Sequence, residues 1–122
     1  MKRIAAALAK ALIDHHRQFC QPREVTAATV TDQDISECVI SYGDLCKEAN
    51  YPCVEIGCGR HLAEIAEWCY HNNFPPLNSL AVSKRTGMPG RHYSRALGCD
   101  STEWREQVSA CIAFKNYPDT PV

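Results

Sequence analysis

Three groups of side chains in this sequence have the type and spacing to do chemistry. The first is sulfur with imidazole: eight cysteines and five histidines are spread over 122 residues. Cys46, Cys53, Cys58 and His61 fall close enough together to offer zinc thiolate and imidazole ligands. The CxxC pair of the common zinc knuckle is absent, however, and Cys46 falls on an apolar helical face, so no metal is expected. His15, His16 and Cys20 form a weaker cluster of the same kind. No local signature of a nucleophilic thiol surrounds any cysteine. Glu64 and Glu67 lie on the polar side of a helical pattern and read as a solvated face, not an acid/base pair. No catalytic residue and no cofactor are assigned, and a small enzyme is the least favoured reading.

The second group is cationic. Between Ser79 and Gly98 stand Lys84, Arg85, Arg91 and Arg95, with no acid among them. Lys84-Arg85-Thr86-Gly87-Met88-Pro89-Gly90 has the composition of a turn. Its glycines and cations would bring backbone N–H groups and positive charge to one place, an arrangement that cradles phosphate. The plainer reading is a tight turn that needs glycine for positive φ and proline for rigidity. Asn78, just upstream, is read either as a ligand contact or as a buried amide tying the chain to the preceding turn. The third group, Tyr42 with Arg60 and His61, stands at the starts of two helical segments, where side chains can reach a nucleic acid.

The elements that position these groups follow from periodicity. A helix is expected over 2–19, with Ile4, Leu8, Ala11, Leu12 and Phe19 as its apolar stripe and Gln21-Pro22 as its stop. Its stripe suits packing on the core or dimerisation equally. Thr31 or Asp32 caps a short helix that holds Ile35, Val39 and Ile40. Ser41 caps the next, with Asp44 as an acidic capping-box residue and Tyr42, Leu45, Cys46 and Ala49 as its buried face. A strong helix is predicted over 60–71, ended by Asn72-Asn73 and Pro75-Pro76. Residues 77–83 alternate well enough for a strand, the basic turn follows, and Arg91-His92-Tyr93 returns as a second strand. A last helix begins at Asp100 or Ser101 and buries Trp104, Val108, Cys111 and Ile112.

The segment from Tyr42 to Tyr93 resembles the DNA-binding domain of the alkylguanine-DNA alkyltransferases and alkyltransferase-like proteins. The resemblance rests on Tyr42-Gly43-Asp44-Leu45 opening a helix, on Arg60 beside the following helix, on Pro76-Leu77-Asn78-Ser79-Leu80 in place of the family's PCHRV, and on Thr86-Gly87-Met88-Pro89-Gly90 as a wing. Leu77 stands where the family has its nucleophilic cysteine, and Asn78 and Ser79 replace its His and Arg. The resemblance therefore implies a winged-helix scaffold with DNA contact through Tyr42 and Arg60, without alkyl transfer.

The expected fold is mainly α with a small β-hairpin (α+β), a winged-helix-like core with additional N- and C-terminal helices. One domain spans 1–122: an N-terminal helix and connector over 1–30, the core over 31–98, and a C-terminal helix and tail over 99–122. The net charge of −1 carries no long-range pull on nucleic acid, so the local basic turn must supply it. No apolar run is long enough to span a membrane. Lys10 and the Asp14-His15-His16-Arg17 run break the signal-peptide pattern of the first residues. Cysteines at core-facing positions (Cys38, Cys46, Cys69, Cys111) read as reduced, and the expected location is cytoplasmic. The leading functional expectation is a non-enzymatic nucleic-acid-binding or regulatory protein, duplex DNA favoured, using Tyr42, Arg60, His61, Asn78, Lys84, Arg85, Arg91 and Arg95. The alternative is a protein-interaction module, such as a phage or mobile-element protein that inhibits a host nuclease or defence complex.

Overall fold

A computed structural model describes residues 1–51, 58–90, 93 and 101–121. Among them run α1 (Arg3–Phe19), α2 (Asp32–Cys38), β1 (Ile40–Ser41), α3 (Tyr42–Glu48), α4 (Gly59–His71), a 3-10 turn (Leu77–Leu80), β2 (Ala81–Val82) and α5 (Ser101–Ala113). The fold is mainly helical with a small two-stranded sheet.

The helix ends follow local chemistry. Thr31 and Asp34 complete a capping box at α2, each side chain bonding the other's backbone N–H. At α3 only half of the expected box forms: Ser41 Oγ accepts from Asp44 N at 3.2 Å. Both α3 and α4 end in Schellman motifs with asparagine in the left-handed region, Asn50 at φ 55° and Asn73 at φ 58°. The diagnostic bonds are Tyr51 N to Cys46 O and Phe74 N to Cys69 O, each 2.9 Å. The expected α2 stripe ran to Ile40. The helix stops at Cys38, and Ile40 enters a strand instead.

α1 packs on the core, against α2, α3, α4 and the 3-10 turn. Leu8, Leu12, Ile13 and His16 are buried along it, whereas Phe19 at its end is 39% exposed and lies against His15. The first turn of α1 has no side-chain cap of its own. Glu64 of α4 supplies one by accepting from Lys2 backbone N at 2.7 Å, a carboxylate at a helix N-terminus. At the other end, Lys115 Nζ donates to the carbonyls of Cys20, Gln21 and Arg23 at 3.0, 3.1 and 2.8 Å. Replacing this ammonium with an apolar side chain of similar length leaves three carbonyls without it. Lys115→Met is expected to lower the unfolding free energy by about 2 kcal/mol in a urea titration. A change within experimental error would show that water satisfies these carbonyls equally well.

The stretch expected as the first strand of a hairpin differs in two ways. Residues 77–80 form a 3-10 turn in which Leu77, Asn78, Ser79 and Leu80 are all buried. Pro76 starts it, its carbonyl accepting from Ser79 N at 3.0 Å and from Ser79 Oγ at 2.6 Å. Leu77 and Leu80 are three apart, and in a 3-10 turn such residues share a side. The apparent alternation therefore came from a segment enclosed on all sides by α1, α4 and α5. The chain then extends as β2, which pairs in parallel with β1 in the register Ile40 to Ala81 and Ser41 to Val82. β2 is buried at both residues, as parallel strands usually are. Tyr93 is helical rather than extended, and Arg91 and His92 lie outside the described residues. The described residues thus contain no antiparallel hairpin, and the link from β1 to β2 runs through α3 and α4.

Candidate nucleic-acid interface

The basic turn leaves β2 and closes on itself. Ser83 N donates to Met88 O and Gly87 N to Ser83 O, both at 2.8 Å, with Gly87 at φ +71°. Gly90 N then donates to Tyr42 Oη at 2.7 Å. Tyr42 therefore pins the far end of the turn to the first residue of α3. Lys84, Arg85, Thr86 and Gly87 are exposed at the tip.

Most of the N–H groups expected to cradle phosphate in this turn are engaged within the protein. The N–H groups of Gly87 and Gly90 are used as described, that of Arg85 bonds Ser83 Oγ at 3.3 Å, and that of Met88 bonds Thr86 Oγ1 at 3.2 Å. Pro89 has none. What remains for an anion is the pair of cationic side chains with the N–H groups of Lys84 and Thr86. The state of the two side chains contrasts with that of other cations of the chain. Lys10, Arg17, Arg23 and Arg105 are each held by carboxylates, and Lys115 by carbonyls. Lys84, Arg85 and Arg60 are in no ion pair among the described residues.

Arg60 is exposed in the first turn of α4. A continuous set of contacts joins it to the turn: Gly90 to Tyr42, Tyr42 one helical turn from Cys46, Cys46 to Cys58, and Cys58 two residues before Arg60. The rest of the outward side of α4 carries Glu64 and Glu67 together with Tyr70, which is 78% exposed, and His71. Glu64 caps α1, and Glu67 faces His71 at 3.7 Å. The two carboxylates oppose the negative floor of a groove, so the cation that α4 offers to phosphate is Arg60 in its first turn. His61 is 9% exposed with its ring against Tyr51, and Asn78 is 3% exposed. Neither is presented to a surface ligand. The Oδ1 of Asn78 has no hydrogen-bond partner, so the expected amide tie is not formed either. Arg91 and Arg95 lie outside the described residues.

The sulfur and imidazole groups resolve differently. Cys20, Cys38, Cys58, Cys69 and Cys111 are buried thiols, burial pushing Cys69 up to about 11 and Cys111 up to about 12. Cys46, expected as a reduced core thiol, is disulfide-bonded. His15 Nε2 donates to Cys38 O at 2.6 Å and His16 Nε2 to Cys111 O at 2.8 Å. Both imidazoles thus address backbone carbonyls of cysteines rather than their sulfurs, and neither activates a nucleophile. Of the considered zinc set, Cys53 lies outside the described residues. Among those described, no three His, Cys, Asp or Glu side chains converge as metal ligands.

Sequence reasoning missed a groove of about 520 Å³ beside the turn. Ile35, Ser36 and Val39 of α2 form one wall, Gly87 and Met88 another, and Trp104 the third, with the Asp32–Arg105 ion pair at 2.9 Å on its rim. Its walls come from residues some 70 positions apart, and no local pattern signals such an assembly. No helix of the described residues is long and apolar enough to cross a membrane. Comparison with protein-family models, curated proteins and solved structures finds no match.

Proposed function

We propose that this chain is a non-enzymatic nucleic-acid-binding protein that grips the phosphate backbone with the turn at Lys84 and Arg85, assisted by Arg60. The observation that carries the reading is the state of the turn: two exposed cations at the tip of a loop that is closed by its own backbone bonds and fastened to α3 through Tyr42. Three phosphate contacts give a weak, salt-sensitive complex without base readout, because Glu64 and Glu67 on the outer side of α4 oppose its entry into a groove. For duplex DNA the logarithm of the affinity should fall with the logarithm of salt with a slope of about −2.7, and removing two cations should bring it to about −0.9. Fluorescence anisotropy of a labelled duplex across a salt series, with wild type and Lys84→Ala/Arg85→Ala, reads both slopes. No binding at low salt, or an equal slope in the double variant, sinks the proposal.

A second reading, a protein-interaction module, is favoured by the groove between α2, the turn and α5. Its apolar walls of Ile35, Val39, Met88 and Trp104 suit the side chains of a partner protein better than they suit phosphate. Absence of duplex and single-strand binding in the same titration moves the assignment to this surface.

A further inference from the structure

We propose that Cys20 and Cys38 form a dithiol, where the end of α1 meets the end of α2, that a small peroxide oxidises to a disulfide, with Cys38 as the attacking sulfur. Both are free thiols, and both are 0% exposed. Three contacts hold Cys38 against the end of α1. Its Sγ donates to Phe19 O at 3.5 Å, and that carbonyl belongs to the peptide bond leading into Cys20. Its own carbonyl accepts from His15 Nε2 at 2.6 Å. The third contact is between the two thiols, hydrogen-bonded side chain to side chain. Arg23 completes the cluster: its backbone N–H donates to Cys20 O at 3.0 Å and its Nε to Phe19 O at 2.9 Å. Asp34 and Glu37 hold its other two nitrogens at 2.7 and 3.1 Å, so the guanidinium is fixed beside the sulfurs. Exposed Phe19, Gln21 and Glu37 flank the pair along the chain, which sets the thiols one layer below the surface and calls for a small oxidant.

The surroundings divide the labour between the two sulfurs. The Cys20 hydrogen bond, with Arg23 behind it, holds Cys38 below a thiol's ordinary value against burial and the Asp34 charge. The same bond and burial push Cys20 up. When Cys38 loses its proton, Phe19 O keeps the Arg23 bond and is not orphaned. In the first step the Cys38 thiolate attacks one oxygen of hydrogen peroxide, the O–O bond breaks, and the departing hydroxide takes up a proton as water. Cys38 is then a sulfenic acid, and the thiolate that held the Cys20 proton is gone. Cys20 sulfur attacks Cys38 Sγ, and the displaced hydroxide leaves with the Cys20 proton as a second water. Two thiols are oxidised and one peroxide is reduced. The product cross-links the end of α1 to the end of α2, two residues before β1 begins at Ile40. The oxidation stands apart from the nucleic-acid reading, since Arg60, Lys84 and Arg85 take no part in it.

The test treats the native protein with a small molar excess of hydrogen peroxide and removes the oxidant with catalase. The remaining thiols are alkylated in denaturant, and disulfides are mapped by mass spectrometry after proteolysis. A Cys20–Cys38 linkage is expected, about tenfold more abundant than pairings of either residue with Cys69 or Cys111. In Cys20→Ser the second step is blocked, and dimedone is expected to label the sulfenic acid on Cys38. Cys20→Ala is the second variant, and the wild-type map decides alone should neither fold. Oxidation of an unfolded chain differs in its product, because it pairs cysteines close in sequence and favours Cys58 with Cys69. The inference is overturned by a Cys58–Cys69 bond as the main product, by Cys20 and Cys38 both alkylated after peroxide, by either of them linked chiefly to another cysteine, or by a folded Cys20 variant without label on Cys38.

Discussion

Trp104→Ala lowers the unfolding free energy by about 3–5 kcal/mol, the range for deleting a large aromatic side chain from a packed interior. Trp104 is 8% exposed, and its indole N–H donates to Ser79 O at 2.9 Å. This bond fastens α5 to the 3-10 turn, which α1 and α4 also contact. Deletion therefore opens a cavity and removes a donor at the point where three helices meet. Trp104→Phe separates the two contributions: it keeps most of the volume and loses the N–H, for an expected cost of about 1–3 kcal/mol. Urea denaturation of the three proteins reads both values. A Trp104→Ala change under about 1 kcal/mol would mean that the groove walls collapse to fill the space, and that Trp104 belongs to a surface rather than to the core.

Mild acid is expected to cost the fold about 3 kcal/mol through His16 alone. Its Nε2 carries the proton donated to Cys111 O, so Nδ1 holds the bare lone pair, buried and without a partner. A second proton would create an imidazolium cut off from water, with Lys115 and Arg17 nearby. Burial is the largest cause, the cations add to it, and together they outweigh the Cys111 carbonyl and push His16 down from 6.5 to about 4. The unfolded chain takes up this proton near 6.5 and the folded chain resists until about 4. Between those values the unfolded state binds more protons, so stability falls as pH falls. The contribution is complete above 6.5 and gone below about 4. His15 is shifted in the same direction by burial and adds to the slope. His16→Gln keeps a donor for Cys111 O and cannot titrate, so its stability profile over this window should be flatter. Identical profiles for wild type and His16→Gln would exclude His16 as the group responsible.

The long helices were legible because each carries enough turns for periodicity to speak. Leu8 and Leu12, Leu62 and Ile65, Val108 and Ile112 are all buried, and the stops at Asn50 and Asn73 are real left-handed caps. The short elements were not. Two-residue strands such as β1 and β2 have no period, and their pairing joins residues about forty positions apart. The segment 77–80 imitates a strand because Asn78 and Ser79 are buried along with Leu77 and Leu80, so its polar residues mark no outward face. At the candidate interface the exposed state of Lys84 and Arg85 agrees with their composition as a turn. The use of the turn's N–H groups was invisible, because one of their acceptors is a phenol 48 positions away. The disulfide state of Cys46 was missed for a similar reason: an apolar helical position looks the same for a thiol and for a cross-linked sulfur.

Residues 115–119 fasten the C-terminal end of the first helix. Arg17 donates to Tyr117 O at 3.2 Å and pairs with Asp119, Gln21 donates to Lys115 O, and Lys115 closes the C-terminal end of α1. These partners are separated by some 95 to 100 positions. A ribosome adds about 5–20 residues each second, so α1 emerges roughly 5–20 seconds before the groups that fasten it. Throughout that interval α1 can pack on α2, α3, α4 and the 3-10 turn, but its C-terminal end lacks these fastenings. A break in translation near residue 113 would release a chain whose first helix keeps Arg23 and Cys38 at its end but lacks the clasps from Lys115, Tyr117 and Asp119.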